Sequence, residues 1–288
     1  MQVNVLTAVH PPYADSLRLT WESLLAQTHR EWSWLVQIDG AAEEVFEALD
    51  ACGALSDPRV RPHAHLTSDG VAVARNIALG RADAPLVQNL DADDELEPDA
   101  LKSLSDALRA HPSAGFAAGQ ARDLLPDGTL VEHQLDLSPG TIQKGALERA
   151  WLTDPESYRV PLHPAGVMWR TDLLLRLGGW PALHGMEDTA LLISASSIST
   201  GLLLPQPTLR YRIHNGQSSA ATENFSGGGS RLPSSEQEPA YSTTPNGPNP
   251  RRAGSALYAP ERYPPVPLPL TGVKLQQSTS NGTFNSAP

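Results

Sequence analysis

The chain has a single cysteine, Cys52, in 288 residues. No intramolecular disulfide can form, and the composition fits a reducing compartment. Positive charge is also scarce: 21 Lys and Arg against 32 Asp and Glu leave a formal net charge of -11. That balance argues against non-specific binding to nucleic acid or to an anionic membrane surface. A phosphate-bearing ligand stays open, because a bound cation reverses the local field. The opening MQVNVLTAV has no basic segment of the kind that begins a secretion signal. Nor is there an apolar run of about 18 residues, the length a membrane helix needs. The nearest, TALLISASSISTGLLL, is broken by hydroxyls and a glycine and reads as a helix followed by a strand. These absences predict a chain with no transmembrane segment, located in the cytoplasm, with peripheral attachment at the inner membrane face left open.

What is present changes character near Ser219. Residues 220–288 are dominated by Ser, Gly, Pro, Thr and Asn, and long apolar patterns vanish. Such a segment cannot bury enough surface to offset its ordering entropy, so it is predicted to be a disordered tail. Five basic and four acidic residues give it a charge of +1, leaving -12 on residues 1–219. Composition is equally compatible with a linker, a low-affinity binding segment and a reading-frame shift in the source gene.

Residues 1–219 alternate strand and helix. Val3–Val9, Ser33–Asp39, a weaker Val60–His65 and Ala84–Asp91 read as strands. Tyr13–His29, Glu43–Gly53 and Val71–Ala82 read as helices, the first with Leu17, Trp21, Leu24 and Leu25 on one face. Pro98 opens another helical segment, Asp99–His111. This order predicts an α/β fold, a Rossmann-like and mostly parallel sheet flanked by helices. Ligands of such sheets bind beyond the carboxyl ends of the strands, where Asp39 and Asp91 both fall.

The stretch NLDADDEL then stands out: Asp91, Asp93, Asp94 and Glu95 crowd into five positions after an apolar strand. Like charges this close resist joint ionisation unless a cation sits among them. A metal ion is one reading, and a solvated acidic turn is the other.

Taken in order, VLTAVHPP, SLLAQTHREWSWLVQIDG, GVAVARNIALGRADAPLVQNLDADD, LGGW, MED and YRIHNGQSS resemble a family 2 glycosyltransferase with the GT-A nucleotide-sugar-binding fold. The resemblance runs from about residue 3 to residue 219. It implies an inverting transferase that moves a sugar from a UDP- or GDP-sugar donor to a hydroxyl on a glycan, lipid or small molecule. Its D-x-D motif falls on Asp91 and Asp93, which would hold Mn²⁺ or Mg²⁺ against the diphosphate. His214 matches a histidine that completes the metal site or touches the diphosphate, with Arg212 flanking the phosphates. Asp39 would pair with the nucleotide base, and His10 and Pro11 would lie along the nucleoside. Arg75 and Asn76 would border the diphosphate and sugar. Asp188 would be the catalytic base, with Glu187 binding the acceptor or fixing its loop. Adjacent at a helix start, these two are expected to point in different directions. Asp94 and Glu95 are expected to face solvent or cap the following turn.

Two other functions are compatible with an α/β chain of this kind. A non-catalytic module of the same fold would hold the donor without transfer, but needs a broken base or metal motif. A nucleotidyltransferase needs a phosphate loop with glycine and lysine after the first strand, and HPPYADS has neither.

Overall fold

The computed structural model describes residues 1–65, 67–133, 135, 137–153, 162–183 and 185–214. The boundary at 219 and the tail 220–288 lie outside the described residues.

Strand β1 (Val3–Val9) pairs in parallel with β2 (Trp32–Asp39) and β4 (Leu86–Asn89), and β2 pairs in parallel with β3 (His63–His65). Helices α1 (Leu17–Leu25), α2 (Glu43–Ala51) and α3 (Val71–Gly80) make the crossovers. This is the parallel half that the alternating pattern predicts. Beyond β4 come β5 (Glu95–Leu96), α4 (Ala100–Ala110), β6 (Ala114–Leu124), β7 (Leu130–Glu132), β8 (Gly140–Ile142), α5 (Ala146–Thr153), β9 (Met168–Arg170), α6 (Thr171–Leu177), α7 (Glu187–Ile198) and β10 (Thr200–Arg212). The sheet order is β3-β2-β1-β4-β9-β6-β10-β5. The three-residue β9 runs antiparallel to both β4 and β6, and β6 is parallel to β10. Hence β2, β4, β6 and β10 all point their carboxyl ends to one edge.

Both faces of the sheet are covered. Along β1, Val3, Val5 and Val9 join a core with Leu17, Trp21 and Leu24 of α1, while Leu6 joins a second core with Phe116, Trp169 and Trp180. Trp21 stacks on Trp34 with ring centres 5.8 Å apart. Fully burying a side chain of this size contributes about 1.5–3 kcal/mol.

Two local expectations need correction. The segment Tyr13–His29 is not one helix: a short turn over Pro11–Ser16 precedes α1, which stops at Leu25. Leu25 also leaves the buried face and is 42% exposed. Leu17, Trp21 and Leu24 follow the helical period, and Leu25 lies a further 100° or so around the axis. Among the described residues no helix is long and apolar enough to cross a membrane.

Candidate active site

Strand β2 ends at Asp39, and the parallel register sets His65 beside it. Asp39 is 5% exposed, and its carboxylate accepts from three donors. Asp69 N–H reaches Oδ1 at 2.8 Å, Gly70 N–H reaches Oδ2 at 3.1 Å, and Ser68 Oγ lies 3.3 Å from Oδ2. His65 Nε2 sits 2.9 Å from Oδ1. Arg81 donates to Gln37 Oε1, so the Gln37 amide turns its Nε2 to His65 Nδ1 at 3.2 Å. Gly70 allows this loop: its φ of +96° is left-handed, a region that side chains disfavour. His10 Nδ1 is 3.1 Å from the Asp39 carbonyl, and Pro11 begins the turn that follows. His10 and Pro11, expected along the nucleoside, are therefore brought beside Asp39, expected at the base and already seated by its own loop.

Past β4 the acidic stretch splits into different environments. Asp93 Oδ2 lies 2.8 Å from His214 Nε2. Asp94 and Glu95, expected to face solvent or cap the following turn, are instead buried and part-buried. Asp94 is wholly buried, and its Oδ1 accepts the Arg212 N–H at 3.0 Å. Burial, and after it the charges of Asp91 and Asp93, push its pKa well above the usual carboxylate range. Glu95 forms β5 and pairs with Arg212 and Arg210. Arg212 also donates from Nε to the Asp93 carbonyl at 3.1 Å. The return of β10 explains the difference: it lays two arginines across the acidic turn, which the local sequence does not reveal.

Arg75 is the centre of the site. It is 3% exposed, carried inward on α3. Its Nη2 donates to Asp91 Oδ1 at 2.6 Å, and its Nη1 lies 3.2 Å from Glu187 Oε1 and 3.0 Å from Asp188 Oδ2. Glu187 and Asp188 thus converge on one nitrogen, contrary to the expectation that they diverge. At a helix start both side chains can bend back toward a buried cation. Burial lowers the Arg75 pKa, but the fields of Asp188, Asp91 and Glu187 override it and hold the guanidinium charged. Burial raises Asp188, opposed by Arg75 and helped by Asp91. Burial also raises Glu187, with Asp188 adding and Arg75 opposing.

Trp180, to which the sequence assigns no role, fixes Asp188 from the other side. Its Nε1 donates to Asp188 Oδ1 at 2.8 Å. Asn76 in turn brackets the Trp180 backbone, accepting its N–H and donating to its carbonyl, both at 2.8 Å. Asn76, expected at the diphosphate, spends both polar ends on this bracket.

A sequence model described as "Glycosyl transferase family 2" matches residues 7–165, more than half of the chain. The chain belongs to glycosyl transferase family 2. It is 25% identical over 188 residues to the glucosyl-dolichyl phosphate glucuronosyltransferase of Haloferax volcanii, covering 65% of this chain and 58% of that protein. The chain therefore spans little more than half the length of that curated relative. It superposes on S. aureus TarS 1–349 in complex with UDP with a TM-score of 0.60 at 16% identity, over 74% of this chain and 61% of that one. It superposes on the mannosyltransferase PcManGT from Pyrobaculum calidifontis, in complex with GDP-Man and Mn²⁺, with a TM-score of 0.52 at 18% identity, over 72% and 55% of the two chains. These likenesses show the shared GT-A fold.

The family 2 match takes in Asp39, Arg75, Asp91 and Asp93 and ends before Glu187 and Asp188. Geometry supplies that last link, since Arg75 joins the two groups. His65 and Trp180 also lie in this candidate site, and short motifs do not reveal them. Sheet register could have found His65, and the indole donor in LGGW, eight residues before Asp188, could have suggested Trp180.

Proposed function

We propose that this family 2 chain is an inverting, metal-dependent glycosyltransferase, moving a sugar from a UDP- or GDP-sugar to a hydroxyl acceptor. One observation carries the reading. Asp91 at the end of β4 and Asp188 at the start of α7 share one buried guanidinium, so the donor motif and the candidate base face each other across a single residue.

Among the described residues no three His, Cys, Asp or Glu side chains converge into a cage for a metal. Asp93 and His214, 2.8 Å apart, with Asp91 two positions before, would offer ligands to a cation that arrives with its substrate. Hard divalent ions of the magnesium type are commonly held by one or two carboxylates, with phosphate oxygens and water completing the shell. When bound, such an ion offsets the charge that builds on the departing diphosphate. Asp39, with His10 and Pro11 beside it, would hold the nucleoside end of the donor.

Asp188 acts as general base. It takes the proton of the acceptor hydroxyl while that oxygen attacks the anomeric carbon from the face opposite the diphosphate. The sugar–phosphate bond breaks, the electron pair leaves with the diphosphate, and configuration inverts. A pKa raised by burial strengthens the carboxylate for that task. Trp180 and Arg75 hold its two oxygens, which fixes its aim. Glu187 and Arg75 position rather than react.

The test is a thermal-shift screen of UDP- and GDP-sugars with and without Mn²⁺. A ligand that prefers the folded state raises its unfolding temperature by mass action. Selective stabilisation by a nucleotide-sugar in Mn²⁺ supports the reading. Indifference to every nucleotide-sugar contradicts it, and stabilisation without any transfer to acceptors would instead favour a non-catalytic binding module.

A further inference from the structure

On the side of Asp91 away from Asp39 lies a group of rings that the catalytic account does not use. In the register of β6 with β10, Tyr211 stands opposite Asp123. The His163 and Tyr211 rings are 4.3 Å apart, His133 and His163 are 5.3 Å apart, and His133 and Tyr211 are 6.4 Å apart. All three are part-exposed. His133 Nδ1 lies 2.8 Å from Asp123 Oδ1. The sheet order places the end of β4, with Asp91, between Asp39 on β2 and this platform on β6 and β10. His163 leads into the turn Pro164–Gly166, which abuts β4 and α7.

We propose that His133, His163 and Tyr211, with Asp123 at their edge, form the subsite for a neutral sugar of the acceptor. This rests on the transferase reading above and names the acceptor class. Aromatic rings with polar handles suit a pyranose, whose C–H faces pack on a ring while its hydroxyls seek hydrogen bonds. The Asp123 carboxylate is an acceptor for such hydroxyls. The Asp123 carboxylate at the edge disfavours a phosphate here. The nearby cations are committed elsewhere, Arg122 and Arg210 to Glu97, and Arg212 to Glu95. Burial, with His133 adding and Asp91 opposing, draws the His163 pKa down to about 4, so the ring is neutral. A neutral imidazole keeps one nitrogen as an acceptor. Its Nδ1 is itself buried without a hydrogen-bond partner among the described residues, a cost that a hydroxyl reaching it as the rings adjust would relieve.

Saturation-transfer NMR on the full chain tests this directly. The probes are methyl glycosides of glucose, galactose, mannose and N-acetylglucosamine, with glucose 1-phosphate as the anionic control. The expected result is saturation of ring C–H protons in at least one neutral glycoside, undiminished by excess UDP or GDP, and a weaker response from the phosphate. Tyr211→Phe should retain the signal, and Tyr211→Ala should weaken affinity by about tenfold, the upper range for one aromatic contact. If Tyr211→Ala changes the unfolding profile, His133→Ala takes its place. No glycoside response, a response displaced by nucleotide, or one that survives ring removal overturns the subsite. Calorimetry of UDP and GDP on the wild-type sample reads the donor site separately. Failure there counts against the transferase reading while the glycoside result stands by itself.

Discussion

Arg75 and Asp188 are 113 positions apart in the chain and 3.0 Å apart in the fold. The same guanidinium holds Asp91 at 2.6 Å, so it links the end of β4 to the start of α7. Removing it would leave three carboxylates facing one another in a largely buried space. Breaking a buried pair from one side typically costs about 3–5 kcal/mol. Arg75→Met is therefore expected to lower stability by that order in a urea titration, and Arg75→Lys to lie between it and the wild type. An unchanged midpoint for Arg75→Met would show that the acids do not depend on it.

Asp188→Asn is expected to keep donor affinity and lose turnover. The amide keeps the shape, but it cannot take a proton from an acceptor hydroxyl. Transfer should fall by about 10² or more, the usual scale for losing a general base. Calorimetry and transfer rates on one preparation check this. Near-normal transfer would assign the base to another group.

Stability should depend on pH in opposite senses at two carboxylates. Asp188 is raised in the folded state, so its contribution is full below the unfolded carboxylate range and is lost as pH rises through the folded value. Asp188→Asn should accordingly gain stability relative to the wild type as pH climbs from about 3 to neutrality. At Glu97 burial alone would raise the pKa, but hydrogen bonds from Arg210 and Arg122 together lower it. Its contribution is present above the unfolded range and is lost as pH falls through the folded value. Glu97→Gln should be most destabilised at neutral pH and approach the wild type in acid. Unfolding temperatures across this range read both trends, and parallel trends for the two variants would refute the assignment.

Gly179→Ala should disturb catalysis from a distance. Gly179 has φ +78°, and a Cβ there would collide with Asn76 Oδ1, the group that seats Trp180. Trp180 would shift and release Asp188. Turnover should drop more than nucleotide affinity, with a loss of stability. Wild-type turnover would show that the Asn76–Trp180 bracket does not position the base.

The parallel half of the fold was legible because apolar strands and amphipathic helices alternate from Val3 to Ala82, and each signal is local. In the second half α4 and the helix-then-strand reading of TALLISASSISTGLLL were legible too, but the strand between them was not. β9 is three residues long and runs against its neighbours, and nothing within Met168–Arg170 announces a central strand. The same limit governs the site. Asp91, Asp93 and Asp188 could be named from short motifs. That Arg75 joins Asp91 to Asp188, that His65 faces Asp39 and that Asp94 is buried under β10 follow from pairings across 16 to 118 residues. Long-range register decides those, and no short window of sequence contains it.

The central claim is that Asp91 and Asp93 bind a nucleoside diphosphate through a divalent cation. Calorimetric titration of UDP and GDP into wild type and Asp93→Ala, each with and without Mn²⁺, tests it most directly. The account predicts that Mn²⁺ strengthens binding of at least one of the two nucleotides to the wild type, and that Asp93→Ala keeps its fold but loses this Mn²⁺-dependent part. Equal nucleotide affinity in the two proteins, with Mn²⁺ present, would contradict it.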